Sequence, residues 1–249
     1  MPLLGVIPAR LGSSRLPRKP LLPIAGEPLI VRVVRRVAEQ GLCDRLVVAT
    51  DAEEIASVVR RYGGEAVLTS PAHASGTERV AEVAMRQEFA SFDLILNVQG
   101  DEPLVAPEAL AGSVRRVRAG DPIGTAAGRL DAALAGDPSR VKVVLDVAGR
   151  ALYFSRAPIP FDRDGTGDVV YRQHVGVYAY TRDALRAWVA LPPVPEERWE
   201  RLEQLRPLRH GLAIGVHVWE GSPARGVDTP DDLAWTEAAV SGQLKEVSP

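Results

Sequence analysis

Through its first hundred residues the chain alternates short apolar runs with segments of helical period, a rhythm few architectures admit. Leu3–Pro8 reads as a strand. Pro28 sits where a first-turn proline belongs, and Ile30, Val33, Val34 and Val37 follow at i, i+3, i+4 and i+7, with Gly41 as the stop. Arg45–Thr50 is a second strand. Asp51 with Glu54 marks a helix start, Ile55, Val58, Val59 and Tyr62 form its buried stripe, and Gly63-Gly64 ends it. Glu65–Thr69 is a third strand, and Ser75 with Glu78 is a capping box ahead of Val80, Val83 and Ala84. Asp93–Val98 is almost continuously apolar, as in a parallel strand covered on both faces. Strands and helices in this order give a parallel sheet with right-handed crossovers.

The second half is less regular. Val141–Leu145, Ala151–Phe154, Val175–Tyr180 and Ala213–Trp219 read as strands, and Arg182–Ala190 and Arg198–His210 as helices. Thr229-Pro230-Asp231-Asp232 opens a last helix that runs to about Val240, with two acids at the positive end of its dipole. The expectation is one α/β domain with a smaller inserted or appended lobe.

Composition excludes several classes. A chain of 249 residues buries roughly 70–75% of its unfolded surface and needs no staples. With 30 cations against 32 anions the net charge is −2, which argues against a protein that works by neutralising nucleic-acid phosphates. Cys43 is the single cysteine, so there is no intrachain disulfide and no Cys-based zinc site. No stretch approaches the ~20 apolar residues of a membrane span. The start, MPLLGVIPARLG, reads as the first strand rather than as a signal peptide. Of the 30 cations, 27 are Arg; the lysines are Lys19, Lys142 and Lys245. A lysine that survives such a bias marks a position where a compact point charge matters.

Open parallel sheets bind ligands beyond the carboxyl ends of their strands, here Pro8–Lys19, Thr50-Asp51, Thr69–Thr77 and Gln99–Pro103. The first loop, PARLGSSRLPRKP, is neither a dinucleotide fingerprint nor a Walker loop. It offers Arg10, Arg15 and Lys19 around Gly12-Ser13-Ser14, which suits a polyphosphate and equally fits a solvated basic loop; Lys19 tilts the balance towards the phosphate. Asp101 in NVQGDEP is either a turn carboxylate or a magnesium ligand, with Asp228 in GVDTP as a candidate second ligand or simply an acid before a helix. Capping explains Ser75, whereas Gly76 in a first helical turn lets a base or ribose come close to the backbone. Arg156 in FSRAPIP, His174 and Tyr178 in RQHVGVYAY, and Glu203 and Gln204 in LEQLR are polar groups among apolar ones, a composition that suits a sugar-acid pocket. Taken alone, His174 reads as a satisfied core histidine, and Arg156 calls for a buried anion partner.

Together, IPARLGSSRLPRKPL, VATD, SGTER, VQGDEP, KVVLD, YFSRAPIP, HVGVYAY, LEQLR and GVDTPDDL resemble the 3-deoxy-manno-octulosonate (Kdo) cytidylyltransferases, the CMP-Kdo synthetases, from residue 3 to about 236. The resemblance implies a Rossmann-like nucleotidyltransferase fold with a mostly parallel central sheet. It implies a nucleotide-binding half to about residue 125, a sugar-binding and dimer lobe over about 126–225, and a helix from 226 that returns to the core. CTP and Kdo are the implied substrates, Mg²⁺ the cofactor, a cytoplasmic homodimer the form, and lipopolysaccharide the destination of the product. By position, Arg10, Arg15 and Lys19 would hold the CTP phosphates, with Thr50, Asp51, Ser75 and Gly76 near cytosine. Arg79, Gln99, Arg156, His174, Tyr178, Glu203 and Gln204 would surround Kdo, and Asp101 and Asp228 would bind magnesium, to which deprotonation of the attacking hydroxyl is assigned. Arg10, Lys19, Asp101 and Asp228 are thus the expected catalytic set. Leu11 and Arg18 depart from the family's usual residues without touching this set, and the segment 161–173 is shorter than in some relatives. A CMP-sialate synthetase, an 8-amino-Kdo-specific enzyme and a non-catalytic nucleotide-sugar binding protein are the rival readings.

Overall fold

The computed structural model describes residues 1–12 and 15–243; Ser13, Ser14 and Lys245, singled out above, lie outside the described residues. The chain divides into two compact units, residues 1–106 together with the segment from 224 onward, and residues 107–223. In chain order the elements begin β1 (Leu3–Ala9), β2 (Pro23–Ile24), β3 (Glu27–Pro28), α1 (Leu29–Ala38), β4 (Arg45–Thr50), α2 (Glu53–Arg61), β5 (Glu65–Leu68), α3 (Gly76–Met85) and β6 (Leu94–Val98). The second unit carries α4 (Pro107–Arg118), β7 (Ile123–Leu130), β8 (Lys142–Leu145), β9 (Ala151–Ser155), β10 (Tyr171–Thr181), α5 (Arg182–Ala190), α6 (Pro195–Glu200), α7 (Leu205–Arg209) and β11 (Ile214–Trp219). The chain then returns to the first unit as α8 (Pro230–Val240).

The first unit is the parallel sheet expected from the alternation, in the order β6-β1-β4-β5. Every residue of β1 and of β6 is buried, which is why neither alternates polar and apolar residues. In register, Ala9 lies opposite Thr50 and Val6 opposite Asn97, so the carboxyl ends of three strands emerge side by side. They crowd: a Cβ on Gly100 would lie 2.8 Å from the Pro8 carbonyl oxygen, so only glycine fits there. Helix α1 buries Leu29, Ile30, Val31, Val33 and Val37, close to the expected stripe.

Two local expectations are corrected here. Asp51 does not cap α2; Ala52 occupies that position without a side-chain bond, and the Asp51 carboxylate goes instead to Arg79. Tyr62 lies past the end of α2 and is exposed, because the helix stops before its ring can turn inward. Ser75 caps α3 as read, its hydroxyl accepting from the Glu78 amide, and Thr229 with Asp232 forms a full capping box on α8. Burial and neighbouring Asp44 push the Cys43 thiol up to about 12, so it is chemically quiet.

In the second unit β7 pairs antiparallel with β10 and parallel with β11, and β8 and β9 form an antiparallel pair bridged to β10 at Gln173 opposite Lys142. Strand β10 starts earlier than its apolar run suggests and shifts register between Val175 and Tyr178. The stretch read as one helix over 198–210 is two. Pro195 starts α6 early, Arg201 turns left-handed (φ 53°) to end it, and Pro207, with no N–H to donate, prevents one helix from running through. Among the described residues no helix is long and apolar enough to cross a membrane.

Candidate active site

Beyond the carboxyl ends of β1 and β6 the first unit gathers two cations and two carboxylates. Lys19 opens a short 3-10 turn after Arg18, which adopts a left-handed conformation (φ 58°). Its Nζ donates to Asp101 Oδ2 at 2.6 Å and to Asp228 Oδ1 at 3.0 Å. The Arg15 guanidinium reaches the other Asp228 oxygen at 3.1 Å. Asp228 is brought there by the backbone, since the Val227 amide donates to the Asp101 carbonyl at 2.8 Å. Asp232 steadies it by accepting from the Asp228 amide at 3.2 Å. Burial alone would push Lys19 down, but Asp101 and Asp228 outweigh it and hold the ammonium above its usual range. Burial likewise works against the Asp228 carboxylate, and Lys19 and Arg15 reverse it, holding its pKa low. Beside them Glu102, which sequence reasoning missed, is pushed up to about 8 by burial and by Asp101 and Asp228. Its one advance signal is adjacency to Asp101.

The donor set fits a hard divalent cation. The Asp101 and Asp228 oxygens converge on one point that a cation, the Lys19 ammonium, already occupies. Among the described residues no third His, Cys, Asp or Glu completes a protein cage. Two carboxylates with open positions are what Mg²⁺ takes when water and phosphates supply the rest of its shell.

A second group surrounds the ends of β4 and β5. Thr50 is fully buried, and its hydroxyl accepts from the Ala52 amide at 3.2 Å. Arg79, only 3% exposed, donates to Asp51 at 3.0 Å, to the Thr69 hydroxyl at 2.5 Å and to the Ser70 carbonyl at 3.3 Å. The structure therefore places Arg79 as a brace between these loops. Gly76 begins α3 tightly: a Cβ there would lie 3.3 Å from Pro8 and 3.5 Å from Gln99 Oε1. Gln99 itself donates to Asn97 at 3.3 Å, and Arg10 is exposed.

In the second unit His174 and Tyr178 come together inside an aromatic cluster. The imidazole meets Phe154 edge-on at 4.9 Å and Tyr178 at 5.4 Å, and Tyr178 in turn meets Trp188. Thr125 Oγ1 lies 3.0 Å from the ring's Nε2. Burial pushes His174 down to about 3 and Tyr178 well above its usual value, the latter helped by Tyr180 and Glu203. Gln204 is buried in the corner between α6 and α7, and Glu203 precedes it. Arg156 directs its guanidinium at carbonyls, those of Glu200 (2.7 Å), Pro138 (2.7 Å) and Arg201 (3.4 Å). The acid near it, Glu200, is bound by the Arg156 backbone amide at 2.9 Å.

The His174 environment has a pH signature. Its unfolded imidazole takes a proton near 6.5 and the native one near 3, so this contribution to stability is complete above about pH 6.5 and is lost as pH falls towards 3. Between pH 7 and 5 the loss is up to about 2 kcal/mol. Urea unfolding at the two pH values measures it; His174→Gln should flatten the dependence, and an unchanged slope would show that the ring is not held neutral.

The cytidylyltransferase family model matches residues 4–214. The chain belongs to the cytidylyltransferase family. A 3-deoxy-manno-octulosonate cytidylyltransferase of Gemmatimonas aurantiaca is 56% identical over 238 residues, covering 94% of this chain and 92% of the relative. One from Syntrophobacter fumaroxidans is 48% identical and covers 94% of each. Among solved structures, a CMP:2-keto-3-deoxy-manno-octonic acid synthetase complexed with CTP superposes with a TM-score of 0.91 at 39% identity, over 98% of this chain and all of that one. The fold is accordingly that of the nucleotidyltransferases, and this cytidylyltransferase carries its paired charges in the loops that follow β1 and β6.

Proposed function

We propose that this cytidylyltransferase activates Kdo: CTP and 3-deoxy-manno-octulosonate give CMP-Kdo and diphosphate. The names of its relatives support the substrates. The observation that carries the chemistry is Lys19 held between Asp101 and Asp228, with Arg15 on the outer side. Two cations and two carboxylates neutralise one another. When a metal–triphosphate binds, each can change partner without leaving a charge unpaired. Arg15 and Lys19, joined by Arg10, would turn from carboxylate to phosphate oxygens, and Asp101 and Asp228 would hold Mg²⁺ in place of the ammonium. Bound there, the metal supplies positive charge to substrate oxygens.

The anomeric 2-hydroxyl oxygen of Kdo forms the new bond to the α-phosphorus, the bond from that phosphorus to the bridging oxygen of the β-phosphate breaks, and the hydroxyl proton passes to solvent. Reactions of this kind depend mostly on positioning and charge. Lys19 and Arg15 stabilise the negative charge gathering on the departing diphosphate. Thr50, Asp51, Ser75 and Gly76 shape the cytosine side, with Arg79 bracing them. His174, neutral, offers hydrogen bonds without charge, and Glu203 and Gln204 receive sugar hydroxyls. Val147, Leu152, Phe161 and Trp199 of the second unit are exposed large apolar side chains; we assign the homodimer contact to this unit, and we place the enzyme in the cytoplasm.

The deciding assay is diphosphate release from CTP and Mg²⁺ in parallel with Kdo, 8-amino-Kdo and sialic acid. Release with Kdo alone is expected. Release with another acid instead keeps the reaction and overturns the sugar. Silence with all three, from folded protein that binds CTP, makes it a nucleotide-binding protein.

A further inference from the structure

Lys142 is fully buried in the second unit and belongs to none of the groups described above. Its ammonium donates to three backbone carbonyls, those of Arg140 at 2.6 Å, Arg156 at 2.6 Å and Asp137 at 3.1 Å. Three donated bonds use all three hydrogens of the charged form; a neutral amine has two. Burial works against that charge and draws its pKa down. A buried charge whose hydrogens are all spent on backbone fixes the course of the chain around it.

The chain fixed in this way leads to the corner of α6 and α7. Arg156, whose carbonyl Lys142 holds, sends its guanidinium to the carbonyls of Pro138, Glu200 and Arg201. The Glu200 carboxylate returns the contact, accepting from the Ser155 hydroxyl at 2.6 Å and from the Arg156 amide at 2.9 Å. One residue later Arg201 turns left-handed and the chain delivers Glu203 and Gln204. From the other side Arg206 grips Glu197 with two bonds, 2.8 and 2.6 Å. Lys142 is the one link in this chain of contacts with three carbonyls converging on a single atom. A planar guanidinium cannot reproduce that convergence, which gives a reason for lysine here in a chain that writes arginine almost everywhere.

We infer that Lys142 is a positioning residue for the sugar-acid site: its ammonium fixes Arg156, and through Arg156 and Glu200 it sets the turn that carries Glu203 and Gln204. This rests on the reading that Glu203 and Gln204 meet the sugar acid. Lys142 touches no substrate, so its removal changes recognition of one substrate and not of the other.

The test uses Lys142→Met, Lys142→Arg and Glu200→Gln in the full chain, with steady-state kinetics and backbone hydrogen exchange. Lys142→Met and Glu200→Gln should each raise KM for Kdo about tenfold and leave KM for CTP within about twofold, and the double variant should be no worse than the weaker single. Lys142→Arg should fail to restore KM. Amides 201–206 should exchange at least about tenfold faster in both single variants, with β1 and β4 unchanged. If Lys142→Met does not fold, Glu200→Gln carries both readouts alone. A KM for Kdo that stays put while kcat falls would reduce Lys142 to a structural role. Unchanged protection of 201–206 overturns the inference whatever the substrate. Wild-type enzyme inactive on Kdo, with that turn loosened in the variants, overturns the substrate reading and keeps the positioning role.

Discussion

Asp101→Asn lowers kcat by about 10²–10³ at saturating CTP and Kdo. The change is isosteric and removes only charge. The fold has no cause to fail, because the tie between the two loops is the Asp101 carbonyl accepting from Val227, which the substitution keeps. What is lost is one of the two carboxylates that converge at Lys19. A site left with Asp228 alone also binds Mg²⁺ more weakly, so the metal titration curve of activity moves to higher concentration. Diphosphate release across a magnesium series, with circular dichroism as the fold control, measures both effects. Near-normal turnover at saturating Mg²⁺ would show that Asp101 is not a metal ligand.

Lys19→Met should cost more, about 10³ in kcat/KM for CTP. The substitution removes the cation assigned to the phosphates and leaves Asp101 and Asp228 converging with no ammonium between them. Their repulsion opposes the triphosphate before any chemistry begins. Lys19 lies above its usual pKa, so it is charged at every working pH and the loss should be the same at pH 7 and pH 9. Lys19→Arg is the sharper variant. It keeps the charge but offers a flat fork where a single nitrogen now meets two carboxylates, and it should recover less than a tenth of the activity. Recovery to within about threefold of wild type would show that any cation suffices there.

These expectations rest on positions legible in the sequence for different reasons. The parallel sheet of the first unit could be read because β1, β4 and β6 are apolar runs set between periodic helices, and burial on both faces leaves just that imprint. The charges of Arg15, Lys19 and Asp101 followed from knowing where such a sheet binds its ligands. Asp228 had only a weak local signal, since nothing near it reveals that Val227 will bond to Asp101. Strand β7 and helix α4 left almost no imprint. They meet through small residues: a Cβ on Gly124 would lie 2.1 Å from the Ser113 carbonyl oxygen. Close backbone packing replaces the large apolar side chains that a periodicity search detects. Pro207 was visible in the stretch 198–210, and the apolar period there concealed the break it causes. The resemblance alone puts Arg79 beside the sugar, and the apolar neighbours of Arg156 call for an anion; in the structure Arg79 meets an aspartate and a threonine, and Arg156 meets backbone carbonyls. Charge type is legible in a sequence, but which neighbour satisfies it is decided by folding.

The first unit is discontinuous, and that has a consequence for the order in which the enzyme becomes competent. Lys19 and Asp228 stand 209 positions apart, with the whole second unit translated between Asp101 and Asp228. A growing chain can lay down β6-β1-β4-β5 early, since all four strands precede residue 99. At that stage Lys19 has one acid to answer it. The segment that supplies the second is made only after residues 107–223 have been synthesised. Competence to handle a nucleotide is therefore conferred by a stretch synthesised after the whole second unit, and a chain folded only around its sheet carries an anion-attracting loop without the means to use what it attracts.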